Sequence, residues 1–259
     1  MTPPEREPRL VFGEVAERYD RARPTYPGEL VGDVADVLGL PAWARVLEIG
    51  SGTGKATVLW ADAGYEVVCL EPSEEMAAVA RVNLAGHENV VIEPVGLEEW
   101  PVEPEAFDLV TAAQAWHWIP ADVSMPTAHA AQRPGGGVAL VWNWEAEDQH
   151  VLERELAEAY RMFAPTLMKE SLKQRIGSTI MEQLDESPLF GPVTMRRYPS
   201  ERTFTGAAYV DLLGTHSDHR MLDAEDRTHL HDAITAIIDD NGGELTIRYV
   251  TEVQIAARA

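Results

Sequence analysis

Between residues 45 and 142, short apolar runs at Arg45–Ile49, Glu66–Leu70, Val90–Pro94, Phe107–Ala112 and Gly137–Trp142 alternate with segments long enough to be helices. Runs this short and this apolar read as strands buried on both faces, and the helix-sized spacers supply the crossovers that parallel pairing requires. The alternation predicts a doubly wound α/β architecture with a mostly parallel sheet.

The pattern changes near Glu147. Helical periodicity covers Val151–Phe163 and Leu167–Leu184, with a break at Pro165 and a stop at Pro188. Two strand-like segments follow, Val193–Phe204 and Leu245–Ala256, flanking helical sequence that includes Ala224–Asp240. Asn241-Gly242-Gly243 leads into the last of them by a tight turn, as expected if an antiparallel pair closes one sheet edge. The first thirty residues are aromatic and poor in strands, which suggests a helical flap. One domain is therefore expected over 1–259: a flap at 1–30, a core at 31–147, a helical insert or lid at 148–190, and closing strands and helices at 191–259.

Composition limits the partners. With 45% hydrophobic and 25% charged residues in 259 positions, the chain has the balance of a soluble globular protein. No stretch approaches the roughly 18 apolar residues of a membrane helix, and the N-terminus lacks a signal core, so a cytoplasmic protein is expected. Lys and Arg number 21 against 43 Asp and Glu, a net charge of −22 that opposes docking on nucleic acid or an anionic membrane. A small-molecule partner and a monomer or homodimer are the expectation. Cys69, the single cysteine, sits in an apolar run and reads as a buried small hydrophobe.

The most informative stretch is Val46-Leu47-Glu48-Ile49-Gly50-Ser51-Gly52-Thr53-Gly54, an apolar strand ending in glycines ahead of a helix-compatible segment. Glycines let the backbone turn tightly and approach a ligand, and the following helix offers free N–H groups. The spacing is G-x-G-x-G, one residue short of the dinucleotide fingerprint G-x-G-x-x-G. Glu71 stands at the tip of the second apolar run, followed by Pro72 and Ser73. A carboxylate there can hold a ribose diol, which together with the loop points to a nucleoside-type cofactor at the switch point of the sheet.

These residues give the chain its family resemblance. Glu48-Ile49-Gly50-Ser51-Gly52-Thr53-Gly54, Glu71-Pro72-Ser73 with Met76, Phe107-Asp108-Leu109-Val110 and Arg133-Pro134-Gly135-Gly136 resemble the motifs of class I S-adenosylmethionine-dependent methyltransferases acting on small molecules. Tyr19-Asp20-x-x-Arg23-Pro24-x-Tyr26-Pro27 and Gln114-Ala115-Trp116-His117-Trp118 resemble a subgroup of that family. The resemblance covers most of residues 12–145. It implies a Rossmann-like sheet of seven strands with an antiparallel last strand, S-adenosylmethionine as cofactor, and methyl transfer to O, N or C.

It also implies roles. Gly50, Ser51, Gly52 and Gly54 would meet the methionine part of the cofactor, with Glu48 near its ammonium group and Gln114 beside the same end. Glu71 would hold the ribose with Pro72 in the same cofactor site, Met76 would pack on the adenine, and Tyr19 would close over the cofactor from the flap. Gly96 and Leu97 align with the adenine loop, but Gly96 stands where the family often has an acid. That leaves the amino group to Glu98, a backbone carbonyl or water.

Methyl transfer is an in-line displacement that asks for positioning more than for reactive side chains. Tyr26, Trp116, Trp118, Trp144 and His216 are the candidate acceptor contacts, the tryptophans as an apolar or cation–π wall. His117 is the candidate general base, with a positioning role as the alternative. His216-x-x-His219 and His229-x-His231 have spacings found in metal sites but lack a third ligand set, so no metal is expected. The competing functions are a cofactor-retaining binder or non-methylating enzyme on the same fold and, disfavoured by the glycine spacing, a nicotinamide-dependent oxidoreductase.

Overall fold

The computed structural model describes residues 15–146, 152–168 and 172–259. Its elements run α1 (Ala16–Ala22), α2 (Glu29–Leu38), β1 (Arg45–Ile49), α3 (Thr57–Asp62), β2 (Glu66–Leu70), α4 (Glu74–Asn83), β3 (Val90–Glu93), β4 (Phe107–Ala113), α5 (Ala121–Ala131), β5 (Gln132–Glu145), α6 (Glu153–Phe163), α7 (Leu172–Glu186), β6 (Thr194–Thr205), α8 (Gly206–Leu213), α9 (Ser217–Met221), α10 (Ala224–Asp240) and β7 (Glu244–Ala257). The strands form one seven-stranded sheet in the order β3-β2-β1-β4-β5-β7-β6. Pairings β1/β2, β2/β3, β1/β4 and β4/β5 are parallel, and the last strands are antiparallel. The chain order reverses at β1, the switch point where α/β sheets hold ligands at their carboxyl ends. Among the described residues no helix is long and apolar enough to cross a membrane.

The described residues divide into two compact units, each described by itself: 25–143 with 172–198 and 251–259, and 15–24 with 144–146, 152–168 and 199–250. In the first, β1 lies between β2 and β4, so Val46, Leu47, Glu48 and Ile49 are all buried. A strand covered on both faces has no polar side, which is why its sequence reads as a continuous apolar run. Around it pack Leu30, Val31 and Val34 of α2, Trp60 of α3, and Val253 and Ile255 of β7. Helix α2 ends at Gly39, whose left-handed φ of 65° makes a standard stop. Ser73 caps α4 by accepting from the Met76 N–H.

The second unit has its own apolar cluster, in which Leu152 just before α6 and Leu156 and Ala159 of α6 meet Leu212 and Leu213 of α8 and Leu230, Ile234 and Ile238 of α10. Thr205 caps α8 and Asp223 caps α10, each side chain accepting a backbone N–H of the first turn.

The sequence reading and the structure differ in three places. The fifth strand, expected over Gly137–Trp142, spans Gln132–Glu145. Its start pairs Phe107 with Gln132 while Leu109 pairs with Gly137, so Arg133–Gly136 form a bulge that the Pro-Gly-Gly composition disguises as loop. The helix expected over Leu167–Leu184 is replaced by a short 3-10 turn at Pro165–Leu167 and by α7, with residues 169–171 outside the described set, as are Val151 and the first fourteen residues of the expected flap. Helix α5 has no counterpart in the sequence reading, because Pro126 stands inside it and a proline there removes a helical hydrogen bond.

Candidate active site

The site begins where β1 ends. At Gly50 the backbone turns into φ +66°, and a Cβ there would lie 2.5 Å from Cβ of Ala115, the residue two beyond β4. Both facts exclude a side chain, the first by conformational strain and the second by collision. Gly54 repeats the demand at φ +85°, where a Cβ would meet Leu84 Cδ1 at 2.8 Å. The loop is pinned to the end of β2 as well, since the Gly50 and Ser51 N–H groups both donate to the Leu70 carbonyl at 2.8 and 3.2 Å.

Glu71 holds this loop. Its Oε2 accepts from the Gly52 N–H at 2.8 Å and its Oε1 from the Ser73 N–H at 2.9 Å. The carboxylate is 7% exposed; burial raises its pKa and the two backbone donors draw it back. A carboxylate offers about four acceptor positions, so two such bonds leave capacity for a pair of ligand hydroxyls. Met76 approaches the same turn, with Cε 3.5 Å from where a Gly52 Cβ would be, and Pro72 and Glu98 flank Gly96 in the same way at 3.8 and 3.1 Å. Glu98 thus folds over the glycine that stands where the family often has an acid. Leu97 is buried beside it.

Glu48 is the anomaly. Only 1% of it is exposed, and neither carboxylate oxygen has a hydrogen-bond partner, nor do the buried hydroxyls of Ser51 and Thr53. Each orphaned polar group costs roughly 1–3 kcal/mol, more when charged. Burial pushes the Glu48 pKa up to about 8, the Thr57 hydroxyl eases the shift, and the charge of Glu71 adds to it. Acceptors for an ammonium beside hydroxyl donors for a carboxylate make a donor set suited to an amino-acid zwitterion. The group implied by the resemblance carries one, and the residues present fit it.

At the end of β4, Gln114 adopts φ +59°, a left-handed conformation that costs a non-glycine residue about 1 kcal/mol or more. Its N–H donates to the Val141 carbonyl and its side-chain amide to the Asn143 carbonyl, both at 2.9 Å. Asn143 in turn donates to the Thr25 carbonyl at 3.2 Å and accepts from the Thr251 hydroxyl at 2.5 Å. Sequence reasoning assigned Asn143 no role. A polar residue between Trp142 and Trp144 at the tip of a buried strand was the available signal.

The indole N–H of Trp142 faces His117 Nδ1 at 3.5 Å, and the His117 ring lies against Trp118 with centroids 4.8 Å apart. Burial lowers the His117 pKa to about 4. The imidazole is therefore neutral at pH 7, with Nδ1 turned to a donor and the proton on Nε2. Trp116 is fully buried and Trp118 half-buried, while Tyr26 packs against the apolar cluster around β1.

Tyr19, Trp144 and His216 belong to the second unit. There Arg23 lies over the Tyr19 ring at 5.1 Å and donates to the Thr215 hydroxyl and carbonyl at 2.8 and 3.0 Å. Burial, then the charges of Arg23 and His219, hold the His216 pKa well down, and Trp144 is buried. His219 is engaged on both nitrogens, by the Tyr160 hydroxyl at 3.0 Å and by His231 at 3.2 Å. Among the described residues no group of three or more His, Cys, Asp or Glu could hold a metal.

Comparison with known proteins bears on the family and the fold. Residues 46–136, which contain the glycine loop, Glu71 and Gln114, match a family model described as a methyltransferase domain. An uncharacterized methyltransferase of Mycobacterium tuberculosis is 32% identical over 259 residues, spanning 97% of both chains. The chain belongs to the methyltransferase family. A malonyl-[acyl-carrier protein] O-methyltransferase of Enterobacter lignolyticus is 36% identical over 133 residues, 49% of this chain and 52% of its own. The solved structure of a candidate type II methyltransferase from Anaeromyxobacter dehalogenans superposes with a TM-score of 0.61 at 23% identity, covering 91% of this chain and 97% of that one, and shares its fold.

Proposed function

We propose that the protein transfers a methyl group from S-adenosylmethionine to an O, N or C atom of a small organic acceptor. The observation that carries this reading is the set of unpartnered buried oxygens on Glu48, Ser51 and Thr53, in a loop tied by Glu71. Glu48 holds the donor's ammonium, the Ser51 and Thr53 hydroxyls and loop N–H groups meet its carboxylate, and Glu71 takes the ribose hydroxyls. Pro72, Met76, Gly96 and Leu97 border the adenine. When bound, S-adenosylmethionine supplies an electrophilic methyl group on a sulfonium.

The protein's own part is positioning and exclusion of water, which can contribute roughly 7–11 kcal/mol to such a displacement. Gln114, fixed by Val141 and Asn143, borders the methionine end. His117, neutral and weakly basic, orients the acceptor by donating from Nε2; with its pKa lowered to about 4 it is a poor recipient for a hydroxyl or ammonium proton at pH 7. Tyr26 and Trp118 are the proposed acceptor contacts. The net charge of −22 favours a small molecule over a nucleic acid as acceptor.

Calorimetry with S-adenosylmethionine, S-adenosylhomocysteine and the oxidised and reduced nicotinamide dinucleotides tests the donor. Binding of the first two alone is expected, and binding of a dinucleotide alone would overturn the reading. Incubation with methyl-labelled donor and a panel of malonyl thioesters, small carboxylic acids, phenols and amines tests the reaction. Label in none of them, from a protein that binds the donor, would favour the cofactor-retaining binder.

A further inference from the structure

We propose that the donor pocket holds one proton in the absence of ligand, carried on Glu48, and that a ligand bearing an α-ammonium group displaces it to solvent. The inference rests on the S-adenosylmethionine reading and deepens it, making Glu48 a gate that admits ligands bringing their own cation.

The argument starts from position. Glu48 lies in the central strand, paired across to Cys69 of β2 and Thr111 of β4, and its side chain is sealed from water at 1% exposure. An ionised carboxylate in such a place needs several donors, and the neighbouring Thr57 hydroxyl is the one group that eases its charge, neither oxygen being held in a full hydrogen bond. The titratable and polar groups facing it supply no positive charge. Glu71 from the tip of β2 is itself a carboxylate, with both oxygens engaged by backbone N–H groups. Cys69 is a buried thiol whose own pKa is driven up by burial and then by Glu48 and Glu71, and its Sγ–H points to the Thr57 hydroxyl at 3.7 Å. Thr57 of α3, Thr111 and Ser51 are neutral. Two carboxyl groups share the pocket, and Glu71 is the one whose ionised form the backbone stabilises. The proton therefore rests on Glu48.

On binding, the Glu48 O–H bond breaks, the proton goes to water or buffer, and the carboxylate so formed pairs with the ligand's ammonium. At Glu48 itself the cation that leaves is replaced by the one that arrives, and the ligand's own carboxylate is met by the loop hydroxyls and N–H groups rather than by Glu48. A ligand with the nucleoside and thioether but no amino group gains nothing from the exchange.

The test is calorimetry of S-adenosylhomocysteine binding at pH 7 in buffers of low and high ionisation enthalpy, which reads the protons released per ligand bound. The wild-type protein is expected to release close to one proton; Glu48→Gln, which keeps the shape and cannot ionise, should release none and bind about 10-fold or more weakly. Infrared difference spectra of the wild-type protein give a second reading that needs no variant: the carbonyl band of a protonated carboxyl should vanish when S-adenosylhomocysteine is added. Binding with no proton release and no loss of that band would overturn the proposal while leaving the donor reading standing. Proton release undiminished in a binding-competent Glu48→Gln would also overturn it, placing the proton elsewhere. No binding of either S-adenosyl ligand to wild-type protein would instead remove the donor reading, and this inference with it.

Discussion

The two units bury polar side chains in opposite ways. In the unit around β1, the oxygens of Glu48, Ser51 and Thr53 sit within one short stretch with no partner. In the other unit Arg23 donates to Thr215, and Tyr160, His219 and His231 bond to one another, while the buried Tyr249 hydroxyl and Glu155 Oε2 have no partner. Completed networks add stability and specify packing. An incomplete one is open to completion from outside the chain, and here it lies on a loop whose glycines let a ligand come close. The contrast separates a unit built to receive from a unit whose polar groups are mainly architectural.

The largest way to break this contrast is Gly50→Ala. The new Cβ would be forced to 2.5 Å from Ala115 Cβ at a φ of +66°, so the loop must move or the strand end must deform. Donor affinity should fall by about 100-fold or more, and stability by about 2–4 kcal/mol, the sum of backbone strain and overpacking. Calorimetry and denaturant melts check both; an alanine variant that binds S-adenosylmethionine normally would mean the loop is not the donor's seat.

Glu71→Ala comes next. It removes two proposed ribose contacts and orphans the Gly52 and Ser73 N–H groups. Affinity for S-adenosylmethionine should drop about 10-fold or more. In the second unit, Tyr160→Phe deletes the hydroxyl bonded to His219 and should cost stability of about 1–2 kcal/mol, leaving donor affinity unchanged. If the two variants weakened donor binding equally, the division of roles between the units would fail.

Acid and base sharpen the comparison through opposite signs. Burial lowers the pKa of His219 below its ordinary 6.5, so between that value and its depressed one the unfolded chain binds more protons than the native one. Stability then rises with pH in that window and is lost as the pH falls through it. His216 and His231 share the sign, and so does His117 of the other unit. Glu48, raised from 4.5 to about 8, does the reverse: the native state binds the extra proton, and its contribution is lost as the pH rises from 4.5 towards 8. Melting midpoints across pH 5–8.5 should flatten on the alkaline side in Glu48→Gln and on the acid side in His219→Gln. Unchanged slopes in both variants would show that neither group differs between folded and unfolded chains.

How much of this was legible beforehand follows from what each residue answers to. The strands of the first unit were readable because burial on both faces makes them apolar without interruption, and Gly50, Gly52 and Gly54 because positive φ favours glycine. Helix α5 was hidden by Pro126, and the start of β5 by Arg133-Pro134-Gly135-Gly136, since a bulge carries the composition of a turn. Glu48 and Glu71 could be named from spacing, but not that one would be fully hydrogen-bonded to backbone and the other left bare. That depends on which N–H groups the folded loop presents. Asn143 joins Gln114 across 29 residues and Thr25 and Thr251 across more than a hundred, and no local pattern records such contacts. The partnership of His219 with Tyr160 and His231 was missed likewise, and the histidine spacing alone suggested a metal as readily as a hydrogen-bonded chain.

The smallest effect is expected from Asn83, at the last position of α4. Its side-chain amide donates to the Thr53 carbonyl at 2.9 Å, tying the glycine loop to that helix. Asn83→Ala removes the tie without touching any group proposed to meet the donor. A neutral hydrogen bond is worth about 1 kcal/mol net, which corresponds to about a fivefold weakening of S-adenosylmethionine if the bond serves to hold the loop in its binding shape. If it serves only the fold, the same energy leaves the melting midpoint and donor affinity stays put. The pH slopes assigned to His219 should be untouched in either case, since that histidine belongs to the other unit. Measuring affinity and midpoint on one preparation therefore decides whether the loop's shape is set by the strand end and Glu71 alone or also from the helix that follows it.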